Sequence, residues 1–262
     1  MVRKAEPGLS VLIPCFNCGA YVADAVASVI SQEGFVGEIL IYDDGSNDDG
    51  TRSVLDQLVR AIPAVKVLYS KRNAGAGVGR ASLIAAARYP ISAFIDADDV
   101  WCPGKLRRQL VAMEDPNVIL CYTSYFICDE RLKPLSLRSV PDQGSLRALL
   151  ATNFVPTSTA MFRTDLAQKI AFPPLRRRQD YALWILLMRA NPGRACIGLQ
   201  EPLVQYRKVP NSLSSSQIKN LTYNYLVFRK AMGMNLISSI FFTILNAFNR
   251  VFNSRIRPLT KL

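Results

Sequence analysis

A cluster of carboxylates is the feature of the sequence best suited to chemistry. Asp96-Ala97-Asp98-Asp99 places three carboxyl groups within four residues, directly after a short apolar run. Like charges held this close raise one another's pKa unless a cation or hydrogen-bond donors offset the repulsion. Oxygen ligands select Mg²⁺ or Mn²⁺, and such ions usually bind substrate phosphates as well. The motif by itself indicates either a divalent-cation site or a solvated turn.

A second acidic loop, Asp43-Asp44-Gly45-Ser46, follows another apolar run, and alone it is equally typical of an Asx turn. Histidine is absent from the 262 residues, which excludes Ser-His-Asp catalysis, Cys-His catalysis and every His-ligated metal site. Acid–base chemistry must therefore come from carboxylates, Lys, Tyr or Cys.

The six cysteines show no spacing typical of a disulfide framework. Cys15 and Cys18 form a C-x-x-C pair, but no second pair stands nearby to complete a zinc site. We expect small buried thiols in a reducing cytosol, with redox or metal roles as the alternative.

The net charge of +12 predicts an anionic partner, and nucleic acid, a nucleotide phosphate and an anionic membrane surface all fit it. The distribution of charge is uneven. After Glu201 the chain has no acidic residue but nine basic ones, so its last quarter is purely basic.

The spacing of apolar residues alternates between the two-residue period of strands and the 3.6-residue period of helices. It predicts strands at 9–13, 38–42, 65–69 and 92–95, and helices at 24–31, 51–61, 79–89 and 105–113. Less regular patterns follow, with strands at 119–127 and 159–162 and helices at 144–150 and 181–190. This alternation predicts an α/β domain with a mostly parallel sheet flanked by helices. The polar clusters fall at carboxyl ends of strands, where such sheets bind ligands.

Taken together, the motifs resemble the family 2 glycosyltransferases of the GT-A fold, which are inverting enzymes that use nucleotide-sugar donors. The resemblance runs in order from residue 9 to about 214. Its elements are Ser10 to Asn17, Asp43 to Thr51, Asn73 to Gly75 with Arg80, Asp96 to Asp99 followed by Trp101, Gln179 to Trp184, and Tyr206-Arg207 with Ser212 to Ser214.

The resemblance implies a nucleotide site along the strand ends. Pro14 and Phe16 would line the base and ribose. One of Asp43 and Asp44, with Asp44 preferred, would accept a hydrogen bond from a uracil N–H. The other nucleotide contacts would be Arg80, Asp96 at the ribose, and Ala97.

The resemblance also implies the reacting groups. Asp98 would hold Mn²⁺ or Mg²⁺ at the donor diphosphate, and Asp180 would be the catalytic base. Without the family, Asp180 reads as the N-cap of the helix that follows it. Further possible contacts to the acceptor or the diphosphate are Asp99, Arg178, Gln179, Trp184 and Arg207. Inversion needs one displacement, one base and one metal, which agrees with a chain that lacks histidine.

Two details near Asp180 depart from the family pattern. Gln179 stands where members often carry an acidic residue, which should leave Asp180 less repelled by a neighbouring charge. Arg176, Arg177 and Arg178 lie just upstream. They form either a solvated basic loop or a contact for an anionic acceptor or the donor diphosphate.

The end of the chain predicts an amphipathic helix. Nineteen uncharged residues separate Lys230 from Arg250, nearly enough to span a bilayer. Their polar members recur every three to four residues, on one helical face: Asn235, Ser238, Ser239, Thr243, Asn246 and Asn249. A wide apolar face with flanking basic residues is typical of a helix lying on a membrane surface. Packing on the catalytic domain, pairing with a second subunit and spanning the bilayer are the alternatives.

These observations predict a GT-A catalytic domain over residues 1–215 and a basic helical tail over 216–262. The expected function is transfer of one sugar from a nucleoside-diphosphate sugar, UDP favoured, to a lipid-linked saccharide in polysaccharide or lipopolysaccharide synthesis. The expected location is the cytoplasmic face of the cell membrane, with homodimerisation through the tail as an option. A nucleotidyltransferase is the first alternative. A nucleic-acid-binding protein is disfavoured because it leaves Asp96, Asp98 and Asp99 unexplained.

Overall fold

The computed structural model describes residues 8–32, 34–48, 50–172, 175–209, 217–252 and 256–258. The Ser212 to Ser214 motif lies outside this range. The strands are β1 (Leu9–Cys15), β2 (Val36–Asp43), β3 (Val65–Tyr69), β4 (Ile91–Phe94), β5 (Val100–Trp101), β6 (Val118–Cys128), β7 (Pro134–Arg138), β8 (Gln143–Gly144), β9 (Met161–Arg163), β10 (Ala195–Arg207) and β11 (Ile256–Pro258). The helices are α1 (Val22–Ile30), α2 (Thr51–Ala61), α3 (Ala76–Ala86), α4 (Lys105–Met113), α5 (Leu146–Ala151), α6 (Thr164–Gln168), α7 (Gln179–Ala190), α8 (Gln217–Leu226) and α9 (Leu236–Phe252). A 3-10 turn covers Thr157–Thr159, and a π-helix covers Val227–Ala231.

The first half of the sheet is parallel, in the strand order β3-β2-β1-β4. Along β1, Val11 and Ile13 join one apolar cluster while Leu12 joins another. Successive side chains of a strand point to opposite faces, so both faces of β1 are covered. Such burial is typical of parallel strands, and it explains why β1 reads as a continuous apolar run.

The second half of the sheet is largely antiparallel. β9 lies between β4 and β6 and runs antiparallel to both. β6 then pairs antiparallel with β7 and parallel with β10. The α/β class and the helix-flanked central sheet are therefore confirmed, while parallel pairing is concentrated in the first four strands.

Several elements have the predicted bounds, including α2, β3 and α4. Others begin earlier than predicted. Helix α3 begins at Ala76, directly after Gly75, whose φ of 94° lies in the region that glycine adopts without strain. Helix α7 begins at Gln179 rather than Tyr181, which places Asp180 inside the first turn.

The C-terminal elements pack on the catalytic part. Val227, Phe228 and Met232 are buried in the same apolar cluster as Tyr181 and Trp184. The predicted amphipathic helix is present as α9, and it contacts α5 and α8. In the part of the chain that the structure describes, none of the helices combines the length and apolarity needed to cross a bilayer.

The prediction of thiols is wrong for one pair of cysteines. Cys15 and Cys18 form a disulfide at the carboxyl end of β1. The other four are thiols, three of them buried. The C-x-x-C spacing indicated redox or metal roles only as the alternative, whereas the two sulfurs are bonded to each other across one tight turn.

Candidate functional site

An open cavity of about 1170 Å³ lies at the carboxyl ends of β1, β2 and β4. This is the predicted edge of the sheet. The cavity exceeds the ~300–1,000 Å³ of ordinary small-molecule pockets, so it has room for two substrates. The predicted residues that line it are Pro14, Phe16, Asp44, Arg80, Asp96, Ala97, Asp98, Arg178, Gln179 and Asp180.

At one end the cavity is lined by the residues that follow β1 and β2. Phe16 is 44 % exposed there, which leaves an aromatic face open to a flat ligand. Asp44 is buried and accepts hydrogen bonds from the backbone N–H groups of Ala74 (2.8 Å) and Gly75 (2.7 Å). Asp44 thus fixes the loop before α3, in addition to facing the cavity.

Asp43 does not take part in the cavity. Its side chain is buried, and its Oδ1 accepts a hydrogen bond from the backbone N–H of Ser46 at 3.0 Å. This is the turn geometry that the sequence offered as an alternative. The prediction that Asp43 contacts the nucleotide is therefore corrected, and Asp44 is the member of the pair that faces the cavity.

Asp96 and Asp98 both line the cavity, and their carboxylates have different surroundings. Asp96 accepts a hydrogen bond at 2.7 Å from Arg80, which is buried. Burial, and then the neighbouring charge of Asp96, raise the pKa of Asp98 to about 6. A divalent cation would relieve this repulsion, so the carboxylate chemistry of the loop fits Mn²⁺ or Mg²⁺.

The protein alone offers few ligands for that cation. Among the described residues, no group of three or more His, Cys, Asp or Glu side chains is arranged to hold a metal ion. Mg²⁺-like ions are commonly bound by one or two carboxylates together with waters and substrate phosphates.

Asp99 points away from the cavity into the protein. It is fully buried, and it accepts hydrogen bonds from the Ser158 hydroxyl and from the backbone N–H of Arg207 (3.0 Å). Burial, and then the charge of Asp98, raise the pKa of Asp99 well above its usual value. The prediction that Asp99 contacts substrate is corrected, since its carboxylate anchors the loop from behind.

Arg207 is likewise structural. Its guanidinium is buried, donates to the backbone oxygen of Asp98 (2.8 Å), and pairs with Asp24 (2.9 Å). It also lies 4.7 Å from the centre of the Tyr21 ring. The predicted contact of Arg207 with the acceptor or the diphosphate is corrected because these partners hold the guanidinium behind the carboxylate loop.

Asp180 lies in the first turn of α7, and it is not the N-cap. The cap is Arg178, whose φ of 62° is left-handed. Burial lowers the pKa of Arg80, but the charges of Asp96 and then Asp180 outweigh burial and raise it. Asp180 and Asp96 therefore act on the same guanidinium, and the candidate base stands close to the carboxylate loop.

Two neighbours of Asp180 are held by the protein. Gln179 touches the cavity, but it is buried and its Nε2 donates to the Leu175 carbonyl at 2.8 Å. Trp184 is fully buried, with its ring 5.6 Å from that of Phe162. The predicted acceptor contact of Trp184 is corrected, because its ring packs in the core against Phe162 and Phe94.

Thr157 and Ser158, which no sequence motif indicated, lie in one 3-10 turn beside the cavity. The Ser158 hydroxyl accepts from the Asp96 N–H (3.0 Å) and donates to Asp99. The Thr157 hydroxyl donates to Asp180 at 3.2 Å. One short turn thus holds both the carboxylate loop and the candidate base. No local spacing could have revealed this, because the partners lie 59 to 62 and 23 residues away.

Comparison with known families agrees with this geometry. Residues 10–171, more than half of the chain, match the model of glycosyl transferase family 2. The chain belongs to this family. It is 30 % identical over 247 residues to the putative teichuronic acid biosynthesis glycosyltransferase TuaG of Bacillus subtilis, covering 94 % of this chain and 97 % of that protein. It is also 30 % identical over 214 residues to WfaP of Escherichia coli, named a UDP-Glc:alpha-D-GlcNAc-diphosphoundecaprenol beta-1,3-glucosyltransferase, covering 81 % and 82 %.

Solved structures share the GT-A fold. TarS residues 1–349 of S. aureus, in complex with UDP-GlcNAc, superposes with a TM-score of 0.70 at 19 % identity, covering 95 % of this chain and 73 % of that one. The mannosyltransferase PcManGT of Pyrobaculum calidifontis, in complex with GDP-Man and Mn²⁺, gives 0.63 at 15 % identity, covering 96 % and 72 %. At this identity the likeness establishes the fold of this family 2 glycosyltransferase.

The turn at Thr157 generates a prediction about positioning. Thr157→Val removes the hydroxyl that orients Asp180, so we expect kcat for sugar transfer to fall about tenfold, the equivalent of a hydrogen bond to a charged group. The KM for the donor should change little. Thr157→Ser, which keeps the hydroxyl, should restore most of kcat. Equal kcat in Thr157→Val and the parent chain would contradict this role.

Proposed function

We propose that this glycosyltransferase moves one sugar, with inversion, from a nucleoside-diphosphate sugar to a hydroxyl of a lipid-linked saccharide in polysaccharide or lipopolysaccharide synthesis. The observation that carries the proposal is the convergence of Asp96, Asp98 and Asp180 around Arg80 in one cavity. The relative WfaP is named as a transferase of glucose from UDP-Glc to a diphosphoundecaprenol-linked sugar, which supports a UDP-sugar donor and a lipid-diphosphate acceptor. The family resemblance, which implies that Asp44 accepts a hydrogen bond from a uracil N–H, also favours UDP.

The reaction needs one proton transfer and one displacement. Asp180 would take the proton of the acceptor hydroxyl while that oxygen bonds to the anomeric carbon of the donor sugar. The bond between this carbon and the donor diphosphate breaks, and the diphosphate leaves with the electron pair. Thr157 holds one oxygen of Asp180. The carboxylate therefore meets the acceptor in a fixed orientation.

The site would use a divalent metal, Mn²⁺ or Mg²⁺. Asp98 would hold it, with Asp96 beside it and the donor diphosphate supplying further oxygens. A bound cation neutralises the charge that develops on the departing diphosphate. The Mn²⁺ in the PcManGT complex supports this choice of ion. Arg207 and Asp99 contribute by fixing the backbone of the loop that carries Asp98.

The acceptor would meet a basic wall. Arg138, Arg176, Arg177 and Arg178 line the same cavity as Asp180. Guanidinium groups bind phosphate oxygens in a bidentate manner. The diphosphate that joins a saccharide to its lipid fits this wall, whereas a neutral sugar would leave it unused.

A nucleotidyltransferase would release inorganic diphosphate from a nucleoside triphosphate, and this product distinguishes it from a transferase that releases a nucleoside diphosphate.

The surplus positive charge is accounted for by the arginine wall and the basic tail, so nucleic-acid binding needs no part in the function. We place the enzyme at the cytoplasmic face of the membrane, where lipid-linked acceptors meet nucleotide sugars.

The donor and the metal are tested by calorimetric titration of the full chain with UDP, GDP, dTDP and ATP, each with and without Mn²⁺. We expect one nucleoside diphosphate, UDP, to bind in a metal-dependent manner. Asp98→Ala should lose the metal dependence because it removes the ligand. Asp165→Ala, on the exposed surface of α6, is the matched control. Binding of no nucleotide under either condition would sink the proposed donor site.

The base is tested by Asp180→Asn, which keeps the shape of the side chain but cannot accept the proton. We expect sugar transfer to fall by ~10²–10⁴-fold, the contribution of a general base, while UDP binding stays unchanged. The measurement is turnover of UDP-sugar with a lipid-linked saccharide. Normal turnover in this variant would show that another group takes the proton.

The basic wall is tested by the double variant Arg176→Gln and Arg178→Gln. We expect the KM for a lipid-diphosphate saccharide to rise at least about tenfold, since each charge-assisted hydrogen bond contributes about 1.5–3 kcal/mol. The KM for the same saccharide on an uncharged carrier should not change. The double variant Arg60→Gln and Arg131→Gln removes two exposed charges away from the cavity and so controls for net charge. An equal rise for both acceptors would exclude recognition of the diphosphate.

A further inference from the structure

Helix α9 is packed inside out. Its polar residues Ser239 and Asn246 are 0 % and 4 % exposed, whereas Ile237, Phe241 and Ile244 are 80 %, 59 % and 63 % exposed. Leu236, Ile240 and Phe248 are exposed as well. A helix that belonged only to the catalytic domain would turn its apolar side inward. We call the exposed set, Leu236, Ile237, Ile240, Phe241, Ile244 and Phe248, the apolar stripe.

Hydrogen bonds under the helix hold this orientation. Asn246 donates to the Tyr181 hydroxyl (3.0 Å) and accepts from Asn224 (3.0 Å), and Asn249 donates to the Ala151 carbonyl (3.2 Å). Buried amides need such partners, and leaving one unpaired costs more than the bond contributes. Rotating α9 to bury the apolar stripe would break all three bonds. The outward direction of the stripe is therefore fixed by the fold.

The dimensions of the apolar stripe fit an interfacial helix. Its members follow one another at intervals of one to four residues between Leu236 and Phe248, along one side of α9. At about 1.5 Å per residue the stripe is about 18 Å long, well short of the ~30 Å hydrocarbon core. A helix of this kind lies along the lipid headgroups and does not cross the bilayer.

The charge around the apolar stripe selects the occupant. No acidic residue follows Glu201 in the sequence, and Arg229 and Lys230 are exposed just before α9. Arg147 is exposed on α5, which packs against α9. A second copy of the chain would bring like charges together at such an interface. An anionic bilayer offers apolar depth and negative charge on the same surface.

We propose that the apolar stripe of α9 inserts into the interfacial region of an anionic membrane and thereby holds the catalytic cavity beside the lipid surface. The cavity is lined by Asn246 of α9 and by Thr222 and Tyr223 of the adjoining α8, so the helix that bears the stripe also contributes to a wall of the site. A lipid-linked acceptor could then reach Asp180 while its lipid stays in the bilayer. Only this last consequence rests on the proposed function; the docking surface does not.

The docking surface is tested by cosedimentation of the full chain with vesicles. One set contains phosphatidylcholine with phosphatidylglycerol, and the other contains phosphatidylcholine alone. We expect binding to the anionic vesicles that weakens with salt, and at least tenfold weaker binding to the neutral ones. The variant Ile237→Ser, Phe241→Ser, Ile244→Ser should lose binding to anionic vesicles by at least tenfold, with an unchanged thermal unfolding midpoint because these side chains are exposed.

The matched control changes three exposed apolar residues on other elements, Val59→Ser, Val111→Ser and Leu135→Ser. This control should bind vesicles like the parent chain. Equal binding by the α9 variant and the parent would overturn the proposal, as would the absence of vesicle binding by the parent. A dimer seen by analytical ultracentrifugation and abolished by the α9 variant, without vesicle binding, would assign the stripe to a second copy. The assay needs no sugar transfer, so its failure is distinct from a failure of the proposed reaction.

Discussion

The repulsion among three carboxylates in one loop is the constraint around which this site is built. Each of the three meets it differently. Asp96 is neutralised by Arg80, and Asp99 is buried against a hydroxyl and a backbone N–H. Asp98 is buried beside Asp96, so burial first and the charge of Asp96 second raise its pKa to about 6, although the charges of Arg207 and Arg80 oppose this rise. The divalent cation proposed for this loop would relieve the repulsion and would couple donor binding to metal binding through electrostatics.

Distant parts of the chain are needed to hold that loop in place. Ser158 fixes the backbone of Asp96 and the carboxylate of Asp99, and Arg207 holds the Asp98 carbonyl. The same 3-10 turn reaches Asp180 through Thr157. The positions of the carboxylate loop and of the candidate base are therefore tied together by one short turn between α5 and β9. Precise placement of reacting groups is what makes a single displacement efficient.

The sequence predicted the elements whose evidence is local. Helices α2 and α4 and strand β3 have their predicted bounds because their apolar periodicity is complete within each segment. The family motifs at the strand ends also indicated which loops meet at the cavity. The motifs do not distinguish one member from another, so they predict ligand contacts for Asp43, Asp99 and Trp184, whose side chains the fold buries. Adjacent residues in a turn or helix face different directions, and only long-range packing decides which one faces substrate. The same limit applies to α9, whose two faces are evident in the sequence but whose buried face is set by Tyr181 and Asn224.

The hydrogen bond between Asn246 and Tyr181 has a practical consequence for anyone preparing this enzyme. Tyr181 directly follows the candidate base, and its ring packs against Phe228. Truncation of the C-terminal segment is a usual way to improve the solubility of a lipid-associated protein. Here it would expose this hydroxyl and the aromatic contacts beneath it. The exposed apolar stripe and the buried residues that support helix α7 therefore belong to the same segment of the chain. Solubility is better sought by changing outward side chains than by shortening the protein.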